Sequence, residues 1–193
     1  MVGQNKSLMR KLLAFLLLLA VMATFAYLYY VRGYGVKPHV MPPMNLPLDG
    51  ATTTYAWSLE PDLPTARTEV SAASLDGDIY VVGGFDGFGR TTSLVEAYRI
   101  DEQRWRQIPD LPTPRHHAAA AAVGGKLLVM GGFSGVNFKP HTDVFAFDPN
   151  TQRWELANPL LNPRGAAAAA VIDGLVYLVG GVNGEGVTSE LSV

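Results

Sequence analysis

The sequence predicts an all-β fold made of repeated four-stranded units, preceded by an apolar N-terminal segment. The first observation is that three segments, which begin at Arg67, Arg115 and Arg164, share one plan. Each has an arginine, a run of small residues, a glycine-containing turn, an apolar β-rich run and a Gly-Gly pair. The second observation is the spacing of these arginines, which is 48 and then 49 residues. A repeat of this length with short apolar runs is typical of small sheets stacked side by side.

Four short strands are predicted in each unit, and the middle copy shows them most clearly. Its alanine-rich first run has a high helix propensity. We predict a strand there nevertheless, because the run is short, glycines close it, and the first copy has Val70, Ser71 and Ser74 in the same positions. The second run is apolar and bounded by glycines, which indicates a buried strand. The predicted strands cover residues 116–123, 126–130 and 143–147, with a fourth that begins at residue 153.

These residues resemble the kelch-repeat family, whose repeat is about 50 residues long. The resemblance is carried by three Gly-Gly pairs and three tryptophans at the repeat spacing, and it covers residues 56–193. It implies four-stranded antiparallel blades of a β-propeller, in which the glycine pair ends the second strand and the tryptophan packs between blades. The residues expected to have these structural roles are Gly83, Gly84, Gly131, Gly132, Gly180, Gly181, Trp57, Trp105 and Trp154.

The repeats in this sequence are too few to close a propeller ring by themselves. The repeats cover about residues 57–105, 106–154 and 155–193, which gives two full blades and one split or incomplete blade. The third repeat stops inside its predicted third strand, and Trp57 is expected to supply a lone outer strand. A propeller usually has about four to eight blades. Two explanations stay open: further blades of a longer chain, which we favour, or a homodimer that closes a six-blade ring.

Residues 12–31 are twenty residues without a charge, a run long enough to cross a membrane core of about 30 Å as a helix. Lys6, Arg10 and Lys11 precede this run, and tyrosines lie near its far end, as at a membrane interface. We therefore expect a short cytoplasmic N-terminus over residues 1–11 and an uncleaved transmembrane signal anchor over residues 12–31. The alternative is a signal peptide that is cleaved near residues 21–23.

The basic residues ahead of this run predict that the N-terminus lies inside and that the repeats lie outside the cytoplasm, in the periplasm or the extracellular space. Residues 32–55 come next, with four prolines between residues 36 and 48. Because proline fixes φ and lacks an N–H donor, we predict an extended, proline-rich linker between the anchor and the repeats.

Charge and cysteine content exclude several functions. Residues 56–193 carry ten Lys/Arg against sixteen Asp/Glu, so this domain is acidic and is a poor match for nucleic acid. The chain has no cysteine, which excludes disulfides, thiolate metal sites and cysteine nucleophiles. It also excludes the Tyr–Cys cofactor of the kelch-like copper oxidases. The sequence has no phosphate-loop, nucleophile-elbow or zinc-protease motif, and we expect no cofactor.

The resemblance implies a binding face formed by two sets of loops around a central pocket. The D–A loops, which lead from the fourth strand of one blade to the first strand of the next, are residues 61–66, 109–114 and 159–163. The B–C loops, between the second and third strands, are residues 85–92, 133–142 and 182–187. Their aromatic and polar groups suit a protein, peptide or glycan ligand. The candidate binding residues in these loops are Phe85, Asp86, Arg90, Phe138 and His141.

Arg67, Arg115 and Arg164 recur at one position of every repeat. Such a ring of arginines could hold a carboxylate or a phosphate, but a residue repeated in each copy favours a role inside the blade. Two residues further on, the copies differ, with Glu69 in the first and His117 in the second. In kelch-like proteins this point can face the central pocket, so Glu69 and His117 are the strongest single candidates for ligand binding.

Metal binding and catalysis are weaker hypotheses than partner binding. Neighbouring residues on a strand point to opposite faces, so His116 and His117 are not expected to share a metal ion. The enzyme alternative is a sugar epimerase that resembles the kelch-type sialic-acid mutarotases, in which Glu69 or His117 would act as an acid or base. We expect a membrane-anchored, non-catalytic binding module.

Overall fold

The computed structural model describes residues 20–22, 44–48, 51–55 and 57–193. The chain divides into two compact units, Met1–Leu59 and Glu60–Val193. The three repeats lie in the second unit, which is built from antiparallel strands.

In the first unit, residues 20–22 are helical, and β1 (Met44–Leu48) pairs with β2 (Ala51–Tyr55) in an antiparallel hairpin. This hairpin lies in the stretch that we predicted to be an extended linker, and it was not predicted. The missed signal is Asp49-Gly50, a dipeptide that favours tight hairpin turns. The predicted membrane span, residues 12–31, lies outside the described residues except for residues 20–22. Within the described parts of the chain, no helix is long and apolar enough to cross a membrane.

The prediction that Trp57 forms an outer strand was wrong. Trp57 lies outside every strand that the structure describes and is 98 % exposed. A strand forms only against a hydrogen-bonded neighbour. The strand just before Trp57 is β2, and it pairs with β1 in a separate two-stranded sheet.

Blades 1 and 2 are complete four-stranded antiparallel sheets, and each strand pairs with the next one along the chain. The strands of blade 1 are β3 (Ser71–Leu75), β4 (Asp78–Val82), β5 (Val95–Arg99) and β6 (Arg104–Ile108). The strands of blade 2 are β7 (Ala119–Val123), β8 (Lys126–Met130), β11 (Val144–Asp148) and β12 (Arg153–Leu156). The predicted four-stranded antiparallel blades are therefore confirmed.

Blade 3 has three described strands, β13 (Ala168–Ile172), β14 (Leu175–Val179) and β17 (Leu191–Ser192). Two B–C loops contain small hairpins that the sequence analysis did not predict. They are β9 (Phe133–Ser134) with β10 (Lys139–Pro140), and β15 (Val182–Asn183) with β16 (Gly186–Val187). The first of these hairpins lies in the loop that carries the candidate binding residues Phe138 and His141.

The alanine-rich strand β7 packs on both of its faces, which explains why it is a strand in spite of its helix propensity. Ala120 and Ala122 pack against a core that blade 1 shares with blade 2, including Tyr80 and Phe147. Ala119 and Ala121 belong to a second core that blade 2 shares with blade 3. Small side chains let the first strands of neighbouring blades approach closely, and this tertiary packing overrides propensity.

Two tryptophans join neighbouring parts of the chain as the kelch resemblance implies. Trp105 Nε1 donates to Pro61 O at 2.8 Å, and Trp154 Nε1 donates to Pro109 O at 2.7 Å. Both acceptors lie in D–A loops. Trp154 also packs on the core between blades 1 and 2. The tryptophans therefore fix the first two D–A loops to the outer strand of the blade that follows each loop.

Candidate functional site

An aromatic cluster lies where the B–C loops of blades 1 and 2 meet the first strand of blade 2. Phe85 stacks on His116 with ring centroids 4.0 Å apart, and Phe138 meets the edge of His116 at 4.8 Å. Phe133 lies 5.4 Å from Phe138, and His117 lies 5.6 Å from it. We call these five rings the aromatic–histidine cluster. It brings together the predicted residues Phe85, His117 and Phe138 from two blades.

Solvent exposure differs across the cluster: the rings at its base are buried, and a ring at its rim is partly exposed. His116 is 1 % exposed and Phe133 is 3 % exposed, whereas Phe138 is 46 % exposed. The backbone N–H of His116 donates to Phe133 O at 3.0 Å, and the N–H of Phe133 donates back at 2.8 Å. The base is therefore held by backbone pairing, and Phe138 leaves much of its ring exposed to solvent.

A series of hydrogen bonds crosses the cluster from Glu69 to Gly135. His117 Nε2 lies 2.9 Å from Glu69 Oε2, and the Nδ1 atoms of His117 and His116 lie 2.7 Å apart. His116 Nε2 lies 3.2 Å from Gly135 O. The two ends of this series, a carboxylate and a carbonyl, are acceptors. With Glu69 ionised, the three contacts together require three ring protons, one more than two neutral imidazoles carry.

Burial lowers the pKa of His116, and the charge of His117 lowers it further, against the opposing effects of Gly135 O and Glu69. His116 is therefore the neutral ring, with its proton on Nε2. Glu69 and His117, the two strongest candidates from the sequence, lie within hydrogen-bonding distance of each other at the rim of the cluster.

The side chains of His116 and His117 lie on the same side of the backbone, with their Nδ1 atoms 2.7 Å apart, so the expectation that they point to opposite faces was wrong. His117 has a φ of 51°, in the left-handed region, which interrupts the alternation of an extended strand. Its counterparts Glu69 and Ala166 have φ values of 53° and 55°. His117 N donates to Glu69 O at 3.1 Å, and Ala166 N donates to His117 O at 2.8 Å. This conformation recurs in each blade because it links the blades through their backbones.

A cleft of about 600 Å³ lies beside the cluster. Its polar lining comes from both blades and from the D–A loop between them: Arg90, Thr91, Thr113, Arg115, Ser134, His141 and Asp143. Burial lowers the pKa of His141, and the positive charge of Arg115 adds to this effect, while Asp143 opposes it. His141 is therefore a neutral hydrogen-bonding group in the wall of the cleft.

Ser134, His141 and Asp143 are arranged in the order of a nucleophilic triad, but the geometry does not complete one. Ser134 Oγ lies 2.7 Å from His141 Nε2. His141 Nδ1 lies 3.7 Å from Asp143 Oδ2, which is beyond hydrogen-bonding distance. The same carboxylate oxygen accepts a hydrogen bond from Arg115 Nη2 at 2.6 Å. The serine–histidine pair therefore stabilises the β9–β10 hairpin.

Asp86 and Arg90 form a salt bridge within the B–C loop of blade 1. Arg90 Nε donates to Asp86 Oδ2 at 2.7 Å, and the backbone N–H groups of Phe88 and Arg90 donate to Asp86 Oδ1, both at 2.9 Å. The backbone and side-chain hydrogen bonds from Arg90 lower the pKa of Asp86. Arg90 also lies over the ring of Phe88, 5.1 Å from its centroid. Asp86 and Arg90 lie on the loop face, but many of their hydrogen bonds are made within the loop.

The comparisons with known proteins agree with this architecture. The family model of the KLHDC2/KLHL20/DRC7 Kelch-repeats domain matches residues 46–181. The chain belongs to the kelch-repeat family. A search of curated proteins found no significant match.

The repeated arginines are bound within their own kelch blades. Arg67 Nη1 contacts Glu96 Oε2 at 2.5 Å, and Arg115 is paired with Asp143. Arg164 Nη2 lies 3.2 Å from Glu190 Oε1, and its Nη1 donates to Glu190 O at 3.0 Å. The side chains of Arg67 and Arg164 are fully buried. In each kelch blade an acid next to the third strand neutralises the arginine, so these residues do not form an open anion-binding ring.

Some residues of the site were not singled out by sequence reasoning. His116 was considered only as a metal ligand, and Ser134 and Asp143 were not considered at all. The arginines carried a usable signal, since an acid follows each of them by 26 to 29 residues: Glu96, Asp143 and Glu190. The approach of Ser134 to His141 carried no such signal, because it depends on the unpredicted β9–β10 hairpin. The sugar-epimerase alternative has no support from the comparisons.

Proposed function

We propose that this kelch-repeat chain binds a protein partner through the face formed by the D–A and B–C loops of blades 1 and 2, with the aromatic–histidine cluster at its centre. Kelch domains generally bind protein partners, and the family match supports that class of function here. The observation that carries the choice of face is the convergence of Glu69, His117 and Phe138 on one surface. These residues are not shared between the repeats, as specificity requires.

The chemistry of this face suits a peptide segment with an apolar side chain beside a hydrogen-bonding group. Phe138 offers an exposed ring, and the Glu69 side chain is about half exposed, with 49 % of its surface accessible. Aromatic residues supported by a rigid, buried base are typical of the most important contacts in protein interfaces. The cleft beside the cluster adds Thr91, Ser134 and His141 as polar neighbours.

The face can be tested with a phage-displayed peptide library selected on the full chain in detergent micelles. Enriched peptides are then measured by biolayer interferometry against the wild type, Phe138→Ala and Glu69→Gln. We expect each variant to weaken binding by about tenfold or more, which is the effect of removing a residue at the centre of an interface. Ile100→Ala is the matched control, because Ile100 is 53 % exposed in the turn between β5 and β6, away from the loop face. Peptides that bind all four proteins equally would refute the proposal.

We also propose that residues 12–31 anchor the chain in a membrane, with the kelch domain outside the cytoplasm. The proposal rests on the sequence alone: a run of twenty uncharged residues with three basic residues before it. Extraction of membranes with alkaline carbonate should leave the chain in the pellet, and protease added outside intact cells or spheroplasts should digest the repeats. A mature chain that begins near Thr24 and fractionates as a soluble protein would support the signal-peptide alternative instead.

A further inference from the structure

The cleft beside the aromatic–histidine cluster lies where blade 2 lacks a hydrogen bond that the other two blades form. The position concerned is two residues before the repeated arginine, in each D–A loop, and it holds Thr65, Thr113 and Asn162. In blade 1, Thr65 Oγ1 donates to Glu96 Oε1 at 3.2 Å. In blade 3, Asn162 Nδ2 donates to Glu190 Oε2 at 3.0 Å. In both blades the acceptor is the carboxylate that neutralises the repeated arginine.

In blade 2 the D–A loop makes no such bond to the acid. The acid that pairs with Arg115 is Asp143, whose Oδ2 accepts a hydrogen bond from Arg115 Nη2 at 2.6 Å. Among residues 57–193, no group forms a hydrogen bond with the hydroxyl of Thr113 or with Oδ1 of Asp143. Both residues line the cleft. The bond that is missing from blade 2 therefore leaves two hydrogen-bonding groups free in the cleft wall.

Side-chain length explains the missing bond. Asp143 and Glu190 occupy the same position, because Gly131 N donates to Asp143 O and Gly180 N donates to Glu190 O, both at 2.9 Å. Aspartate is one methylene shorter than glutamate, and a threonine hydroxyl reaches less far than the amide of an asparagine. The side chain of Asp143 is accordingly 40 % exposed, against 23 % for Glu190.

A third polar group of the cleft wall also lacks a partner. Thr91 Oγ1 is buried, and no hydrogen bond to it is present within residues 57–193. Buried polar groups in proteins are normally hydrogen-bonded. The wall of this cleft therefore contains one free carboxylate oxygen and two hydroxyl groups that a ligand can satisfy.

The charges of the cleft favour a neutral ligand. Arg115 is paired with Asp143, and its positive charge is thereby balanced. Arg90 is likewise paired with Asp86. A carboxylate has no proton for Asp143 Oδ1 and would lie beside a like charge, whereas an ammonium group would lie beside two guanidinium groups. A carboxamide has N–H donors and a carbonyl acceptor without a net charge.

We infer that the cleft binds a carboxamide side chain, of asparagine or glutamine, that belongs to the protein partner. The carboxamide donates to Asp143 Oδ1, in the place that Asn162 has on Glu190 in blade 3, and its oxygen accepts from the Thr113 hydroxyl. The chain itself provides the precedent for a carboxamide on this acid. The inference rests on the proposed partner-binding face and adds to it a preferred residue type.

The test is a titration of the full chain, in detergent micelles and with NMR-labelled threonine and valine methyl groups. The probes are the N-acetyl methylamides of glutamine, glutamate and methionine, which share one backbone and have side chains of similar length. The methyl signals of Thr91 and Val136 report on the cleft, because both residues line it. We expect the glutamine probe to shift these signals and to bind about fivefold more tightly than either other probe, the effect of about one net hydrogen bond.

Thr113→Gln places a carboxamide in the cleft from within the chain. The new side chain and Asp143 together contain as many methylene groups as Asn162 and Glu190, so the variant should make the missing bond itself. We therefore expect the glutamine probe to cause no shift in Thr113→Gln. Thr151→Gln is the matched control, because Thr151 is exposed in the turn between β11 and β12 and the same substitution there should leave the shifts unchanged.

Three results would each overturn the inference: no shift with the glutamine probe, equal binding of the glutamate or methionine probe, or shifts that persist in Thr113→Gln. None of these measurements depends on Phe138 or Glu69. Selected peptides that require those two residues, together with a cleft that does not bind the glutamine probe, would overturn the inference and leave the partner-binding face intact. Probe binding in the cleft, with peptides that bind every variant of the face equally, would refute the face and support the carboxamide site.

Discussion

Glu69 and His117 occupy the same position in successive blades, and their side chains are in contact, with 2.9 Å between Oε2 and Nε2. The same two residues are joined by a backbone hydrogen bond from His117 N to Glu69 O. One repeated position therefore supplies both a structural link between blades and a side-chain contact between two residues that differ from blade to blade. The series of contacts continues through His116 to Gly135 O.

Stability should fall as the pH falls through the range in which the buried histidines titrate. Burial lowers the pKa values of His116 and His141 below their ordinary value of 6.5. On unfolding, both histidines regain the ordinary value, so below about pH 6.5 the unfolded chain binds more protons than the folded chain. The free energy of unfolding should therefore be fully present above pH 6.5 and decrease as the pH falls toward the lowered values. Urea denaturation between pH 8 and pH 5 measures this slope.

His116→Gln and His141→Gln identify the source of the slope. Each substitution removes one titrating ring and keeps a hydrogen-bonding side chain, so each should make the pH dependence shallower. Nitrogen-15 NMR of the imidazoles provides a second readout, in which His116 should be neutral with its proton on Nε2 at pH 7. A slope that neither substitution changes would contradict the assignment to these two residues.

Phe133 and Phe138 should respond very differently to truncation, although they lie in the same loop. Phe133 is 3 % exposed at the base of the aromatic–histidine cluster, so Phe133→Ala should cost about 3–5 kcal/mol, as is usual for a buried phenylalanine. Phe138 is 46 % exposed, and Phe138→Ala should cost about 1 kcal/mol, the size of its edge-on ring contacts. Denaturant unfolding compares the two. Equal losses of unfolding free energy would show that the base and the rim of the cluster contribute equally to stability.

The blades could be predicted from the sequence because they repeat. The contacts between the loops could not be predicted. The second strand of blade 2 was predicted to the residue, because it is an apolar run with glycine boundaries. The local sequence did not predict the β9–β10 hairpin in the B–C loop of blade 2. This hairpin depends on the pairing of Ser134 with Lys139 and on the packing of Phe133. The local sequence also did not predict the conformation of His117, whose positive φ is imposed by backbone bonds to residues 48 positions before and 49 positions after it.

Removal of the buried Asp78 carboxylate should destabilise blade 1 strongly. It is 1 % exposed, and its carboxylate is paired with Arg99 Nε at 2.7 Å and with Arg106 Nη2. Asp78→Ala would leave two arginines without their buried partner, and we expect a loss of about 3–5 kcal/mol. Asp101 is the matched control, because its side chain is 78 % exposed and lies 3.9 Å from the same Arg99. Asp101→Ala should cost no more than about 1 kcal/mol in the same unfolding measurement.

Gly165 should tolerate no side chain, because the ring of Phe133 occupies the space above it. A Cβ atom on Gly165 would lie 2.4 Å from Phe133 Cε2, and two further ring atoms lie within 2.6 Å. Blade 2 has His116 at this position, and Phe85 stacks on it, so the two blades meet the same requirement in different ways. Gly165→Ala should displace Phe133 and destabilise the chain by about 1–3 kcal/mol. Gly184→Ala is the control, since no atom lies within 4 Å of its Cβ position, and it should change stability by no more than about 0.5 kcal/mol.

In the double variant with Phe133→Ala, the Gly165→Ala substitution should add almost no further loss, because the clashing ring is absent. A full additive loss in that cycle would contradict the steric explanation.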